Sequence, residues 1–218
     1  MPKDYVRHPD IDRLVSLNYN KVGLPKAYND ALSGVHDDLD GYDAVLFCHD
    51  DVVLTDIQMG RKIEAAKDRG LDIIGVAGGK GWRPPFGMNP LEVPMGWWSA
   101  AGSQFGLNGY IIHAPEGHPQ FATAYGPTPA RTLTLDGCFV CFMNDGLKAL
   151  SDGRLKWNEN YDFDFYDMAL AMDAYRLGLK VGVEPIVVTH GSMGLGATKP
   201  RFIEAQRRFV REYFWPDI

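Results

Sequence analysis

Cysteine is scarce in this chain, and nowhere does the sequence stay apolar for long. Cys48, Cys138 and Cys141 are the only thiols among 218 residues. An odd, small number in a chain long enough to bury one sizeable core predicts reduced thiols and no disulfide framework. No apolar run reaches the roughly 18–20 residues a membrane-spanning helix needs, and the opening MPKDYVRHPD lacks the apolar centre of a signal peptide. A cytoplasmic protein without a transmembrane segment is therefore expected. Basic residues are also in deficit, 22 against 28 acidic for a formal charge of −6, with no Lys/Arg block. That excludes the broad positive footprint of a nucleic-acid binder. There is no internal repeat and no low-complexity tail, so residues 1–218 read as one domain.

What the chain does have is an alternation of two patterns. Short apolar runs at 14–17, 44–48, 73–77, 110–113, 133–135, 138–142 and 185–189 read as strands, several continuous rather than alternating, as strands covered on both faces are. Between them lie helical patterns at about 24–34, 56–69 (capped by Thr55 or Asp56, stopped by Gly70), 145–151, 165–177 (stopped by Gly178) and 200–213. The last places Phe202, Ala205, Phe209 and Tyr213 near one face, a stripe that packs on its own domain more often than on a partner, so an oligomer is left open. This order predicts an α/β fold around a mostly parallel sheet. The exception is residues 78–130, rich in Gly, Pro and Trp with one convincing strand, which reads as a functional wall or a loop packed on Trp82, Trp97 and Trp98.

Three runs end in polar side chains: AVLFC in His49-Asp50-Asp51, LTL in Asp136-Gly137 and PIVVT in His190-Gly191-Ser192. Ligands of open α/β sheets bind beyond the carboxyl ends of strands, so three such endings point to one crevice, although any single one is explained by a wet strand end or a cap. In an extended segment His49 and Asp51 face the same way and Asp50 the other. Carboxylate oxygen suits Mg²⁺ or Mn²⁺, and an imidazole from His190 tilts the choice toward Mn²⁺. Asp162, Asp164 and Asp167 cluster at the start of a helix, where they complement its dipole; Asp167, inside the first turn, is placed to act as a general base.

Other motifs fail. GVAGGKG lacks the spacing and the Ser/Thr of a P-loop and opens no helix. Cys138-x-x-Cys141 has no second pair and reads as two core thiols. Ser192 lacks a nucleophile elbow, and His113 and His118 read as loop histidines without a role.

Taken in order, KVGLPKAYNDAL, YDAVLFCHDDVVLTD, IIGVAG, LDGCFVCF, NYDFDFYDMALAMDAYRLGLKVG and VVTHGSMGLG resemble the bacterial and viral glycosyltransferase-like proteins of the family 2 type, over roughly residues 14–196. The resemblance implies a GT-A three-layer α/β sandwich. It departs at the front, where members usually have a strand, a helix and a second strand before the G-L-x-x-A-Y-N segment, so an abbreviated domain is expected. It also implies site residues. Gly23, Lys26 and Asn29 would contact a nucleotide-sugar donor (UDP-, GDP- or dTDP-sugar), as would Asp51. His49, Asp50 and Asp51, standing in place of a D-x-D motif, would hold Mn²⁺ or Mg²⁺ together with His190. Asp136 and Gly137 would lie on the acceptor side with Trp97 and Trp98 as a flat wall for a glycan, and Asp167 would be the catalytic base. The implied activity is metal-dependent, inverting transfer of a sugar to a glycan or other hydroxyl acceptor. The alternatives are a catalytically degenerate glycan- or nucleotide-sugar-binding module and, more weakly, a metal-dependent phosphohydrolase.

Overall fold

Alternating short strands and helices assemble into two mixed sheets in a computed structural model that describes residues 12, 14–15, 18–34, 39, 41–82, 89, 91, 95–98, 106–192 and 199–214. In chain order the elements are α1 (Leu24–Ser33), β1 (Val45–Cys48), β2 (Val52–Leu54), α2 (Met59–Asp68), β3 (Ile73–Gly75), β4 (Ala77–Gly79), β5 (Leu107–His113) and β6 (Phe121–Gly126). There follow β7 (Ala130–Arg131), β8 (Thr134–Leu135), β9 (Phe139–Phe142), α3 (Asn144–Ser151), α4 (Tyr166–Arg176), β10 (Val181–Val183), β11 (Val188–His190) and α5 (Pro200–Tyr213). The helices match their sequence patterns closely. Pro25 and Pro200 lie in the first turns of α1 and α5, where a missing N–H costs nothing. Helix α2 starts later than the pattern suggests, because Asp56 instead caps the preceding turn, accepting from Gln58 N at 2.9 Å and from Val187 N at 3.0 Å. None of the described helices is long and apolar enough to cross a membrane.

The sheet order is β1-β9-β3-β10-β7 in one sheet and β2-β11-β5-β4-β8 in the other, with β6 beside β5. The α/β class stands, but the expected mostly parallel sheet does not. Among the described residues only β3–β10 and β5–β11 run parallel, and every other pairing is antiparallel. Continuous apolar runs report burial on both faces and carry no information on direction. Direction comes from β9, which enters between β1 and β3 against both. The run IIGVA also divides at Val76, where the chain passes from one sheet into the other. Tyr110 N donates to Val76 O at 3.1 Å, and Gly109, at φ +121°, lies so close that an added Cβ would come within 2.3 Å of that carbonyl.

Two further differences concern weak patterns. The stretch 78–130 contains the β5–β6 hairpin, whose outer strand FATAYG is largely exposed and so lacks an apolar signature. Leu14 and Val15 are exposed and lie in no strand, and positions 16 and 17 of that predicted run fall outside the described residues. One apolar cluster joins both sheets with Met59, Trp157, Tyr161 and Phe209. Cys138 and Cys141 sit in it as free, fully buried thiols, as read from the sequence.

Candidate metal centre and carboxylate site

The carboxyl end of β1 turns sharply: Val52 N donates to His49 O at 3.2 Å, closing a turn over 49–52 that leads straight into β2. The turn, not an extended strand, sets the side chains. Asp50 and Asp51 are both exposed, but it is Asp51 that, with His49, faces the end of β11, where Gly191 N donates to Asp51 O at 2.8 Å. His190 Nε2 lies 3.3 Å from Asp51 Oδ1, and His49 Nδ1 lies 4.0 Å from that same oxygen. One ligand atom from each of His49, Asp51 and His190 falls within 4.8 Å of the others. Asp50 is outside this group.

The electrostatics suit a cation. Partial burial opposes ionisation of Asp51, but the His190 and His49 rings outweigh it and hold the carboxyl below its ordinary value. Burial likewise opposes protonation of His190, yet hydrogen bonding and attraction to Asp51 raise it. Burial lowers His49, with His190 adding to the effect and Asp136 opposing it, so its imidazole is the more readily neutral. A neutral imidazole is the form that ligates metal.

Across the same cleft, Asp136 ends β8 and Asp167 opens α4. Both Asp136 oxygens accept protein donors, Oδ1 from Cys138 N and Oδ2 from Trp97 Nε1, each at 2.9 Å. Asp167 Oδ2 accepts from Gly137 N at 2.9 Å and Oδ1 from Met168 N at 2.8 Å. Desolvation, with the Asp136 charge adding to it, pushes Asp167 up to about 7 against those stabilising N–H groups. Its place is set by Phe165, which caps α4 at φ +68°, a left-handed conformation costly for a bulky residue. Packing holds it there, with the Phe202 and Phe209 rings at 5.0 and 5.2 Å.

The remaining expected residues divide. Gly23 lines the cleft and must be glycine, because a Cβ would lie 2.8 Å from Asp162 Cα. Lys26 and Asn29, the other two residues expected at a donor, do not line the cleft and have protein partners. Lys26 pairs with Asp30 at 2.9 Å on the exposed side of α1, and Asn29 clamps the 157–159 loop, accepting from Trp157 N at 3.1 Å and donating to Trp157 O at 2.9 Å. Trp97 is 4% exposed and its N–H is committed to Asp136, whereas Trp98, 40% exposed and stacked on Phe202 at 5.8 Å, presents a ring to the cleft. His113 lies in β5 rather than a loop, its Nδ1 3.1 Å from Ser192 O and its ring stacked on Phe121.

Two residues at the site carried no sequence signal of a role. Tyr166 Oη lies 2.7 Å from His49 Nε2, and the Phe163 ring lies 5.7 Å from the His49 ring. The place of Tyr166, one position before Asp167, was the only hint. Compared with protein-family models and with curated proteins, the chain matches none.

Proposed function

We propose that the chain is a metal-dependent, inverting glycosyltransferase of GT-A type, moving a sugar from a nucleoside-diphosphate donor to a hydroxyl of a glycan acceptor. The observation that carries this reading is the opening of the His49–Asp51–His190 group and the Asp167 carboxyl onto one cleft. Bonds of about 2.0–2.2 Å allow two ligand atoms of one ion to be at most ~4.4 Å apart. The 3.3 and 4.0 Å separations around Asp51 fit that limit, and all three ligand atoms lie within 4.8 Å of one another. Two imidazoles and one carboxylate favour Mn²⁺ over Mg²⁺. A divalent ion held there supplies the positive charge that a departing diphosphate needs.

The chain's own residues supply the rest. The Gly137 and Met168 N–H groups aim the Asp167 carboxylate, which takes the proton of the acceptor hydroxyl. The exposed face of Trp98 offers an apolar surface to a sugar ring. Because Asp167 is a base only when ionised, turnover should climb as pH rises through about 7 and then level off. A limb near pH 4 in the pH–rate profile would mean that an unperturbed carboxylate, and not Asp167, accepts the proton.

The reading is tested by thermal shift of the purified chain with UDP-, GDP-, CMP- and dTDP-sugars, each with and without Mn²⁺. A ligand at about 100 times its dissociation constant stabilises the folded state by about 2.7 kcal/mol. A shift with one donor that requires Mn²⁺ is the expected result. A shift independent of metal would indicate a nucleotide-sugar-binding module, and no shift with any donor would overturn donor recognition by this chain.

A further inference from the structure

The two halves of the site meet at one side chain. Tyr166 is 3% exposed, and its ring is wedged against Trp157 at 5.5 Å and Tyr28 at 6.3 Å, which leaves its hydroxyl little freedom. That hydroxyl lies 2.7 Å from His49 Nε2. On its other side is Gly137, where an added Cβ would come within 2.1 Å of Oη. The backbone N–H of the same glycine donates to Asp167. The absent side chain at 137 is the space the hydroxyl fills.

We propose that Tyr166 is a positioning residue of the metal centre: by occupying Nε2 of His49 it assigns Nδ1 as the metal-facing nitrogen and fixes the imidazole toward Asp51 and His190. This rests on the metal centre proposed above. Nδ1 is the nitrogen 4.0 Å from Asp51 Oδ1, whereas His190 approaches that oxygen through Nε2, so the two imidazoles ligate through different nitrogens. With Nδ1 on the metal, Nε2 carries the proton and donates it to Tyr166 Oη. A hydroxyl both donates and accepts, so Tyr166 also serves the other tautomer when no metal is bound. A phenyl ring of the same shape serves neither. Groups that hold the far nitrogen of a metal-binding histidine typically contribute 10–100-fold in metal affinity.

The experiment measures metal binding alone, without turnover. The chain labelled with ¹⁵N-histidine is titrated with Zn²⁺ as a diamagnetic probe, and Mn²⁺ affinity is measured by calorimetry for the wild type and Tyr166→Phe. The expected spectrum shows His49 coordinated through Nδ1 with Nε2 protonated, and Tyr166→Phe binds Mn²⁺ at least about 10-fold more weakly. A wild type that binds neither ion overturns the metal centre and this inference with it. A wild type that binds while Tyr166→Phe keeps full affinity, or a His49 that coordinates through Nε2, overturns the role of Tyr166 and leaves the centre standing. If Tyr166→Phe fails to fold, the wild-type spectrum decides the assignment by itself.

Discussion

Asp167→Asn should lower turnover by roughly 10²–10⁴-fold, the usual contribution of a positioned general base. The substitution keeps the shape of the side chain and one oxygen to accept from Gly137 N or Met168 N, and turns an NH₂ toward the other N–H, so thermal stability is measured beside turnover. What it removes is the ability to take a proton. Donor affinity and its Mn²⁺ dependence should stay within a few fold of wild type, because Asp167 is no part of the His49–Asp51–His190 group. At saturating Mn²⁺, where the imidazoles are held neutral, the pH limb near 7 should disappear with the carboxylate. Steady-state kinetics beside donor binding on the same preparation separate the two effects, and near-wild-type turnover would show that another group is the base.

Asp51→Ala should have the second large effect, and its contrast with Asp50→Ala carries the information. Asp51 Oδ1 is the atom both imidazoles approach, and it supplies the only formal charge of the group. Without it His190 loses its hydrogen-bonded carboxylate, and what remains is two neutral nitrogens. Mn²⁺ affinity should fall by at least ~100-fold, the upper end of what is lost when only a group behind a ligand is removed. The Mn²⁺-dependent thermal shift with donor should vanish with it. Asp50, one residue earlier and no part of the His49–Asp51–His190 group, should tolerate alanine with Mn²⁺ affinity unchanged. Equal losses for both variants, measured by calorimetry, would mean that the cation sits outside the turn.

Much of this site was legible before folding, because strand ends deliver side chains to predictable places. His49, Asp51, Asp136 and His190 follow apolar runs, and the structure brings all four to one cleft. Asp167 was legible as a carboxylate in the first turn of a helix whose pattern is plain. The pairing of His49 with Asp51 rather than Asp50 was expected of an extended segment, and the 49–52 turn arrives at the same pairing by a different local geometry. Lys26 and Asn29 show what a helix pattern leaves out. A helix presents polar residues in several directions, and only packing against the 157–159 loop shows that Asn29 serves as a clamp.

The sequence by itself determined the helices, the α/β class, the buried thiols and the residue types at the ends of three strands. These depend on local periodicity and on capping, which neighbours in the chain decide. The tertiary structure decided strand direction, the division into two sheets at Val76, the weakened acidity of Asp167 and the partnership of Tyr166 with His49. Each depends on groups far apart in the chain. Burial beside Asp136 makes Asp167 a weak acid, and a hydroxyl 117 positions away holds His49 Nε2. No local pattern encodes such distances, which is why the chemistry of the cleft is read from its residues but its tuning only from their packing.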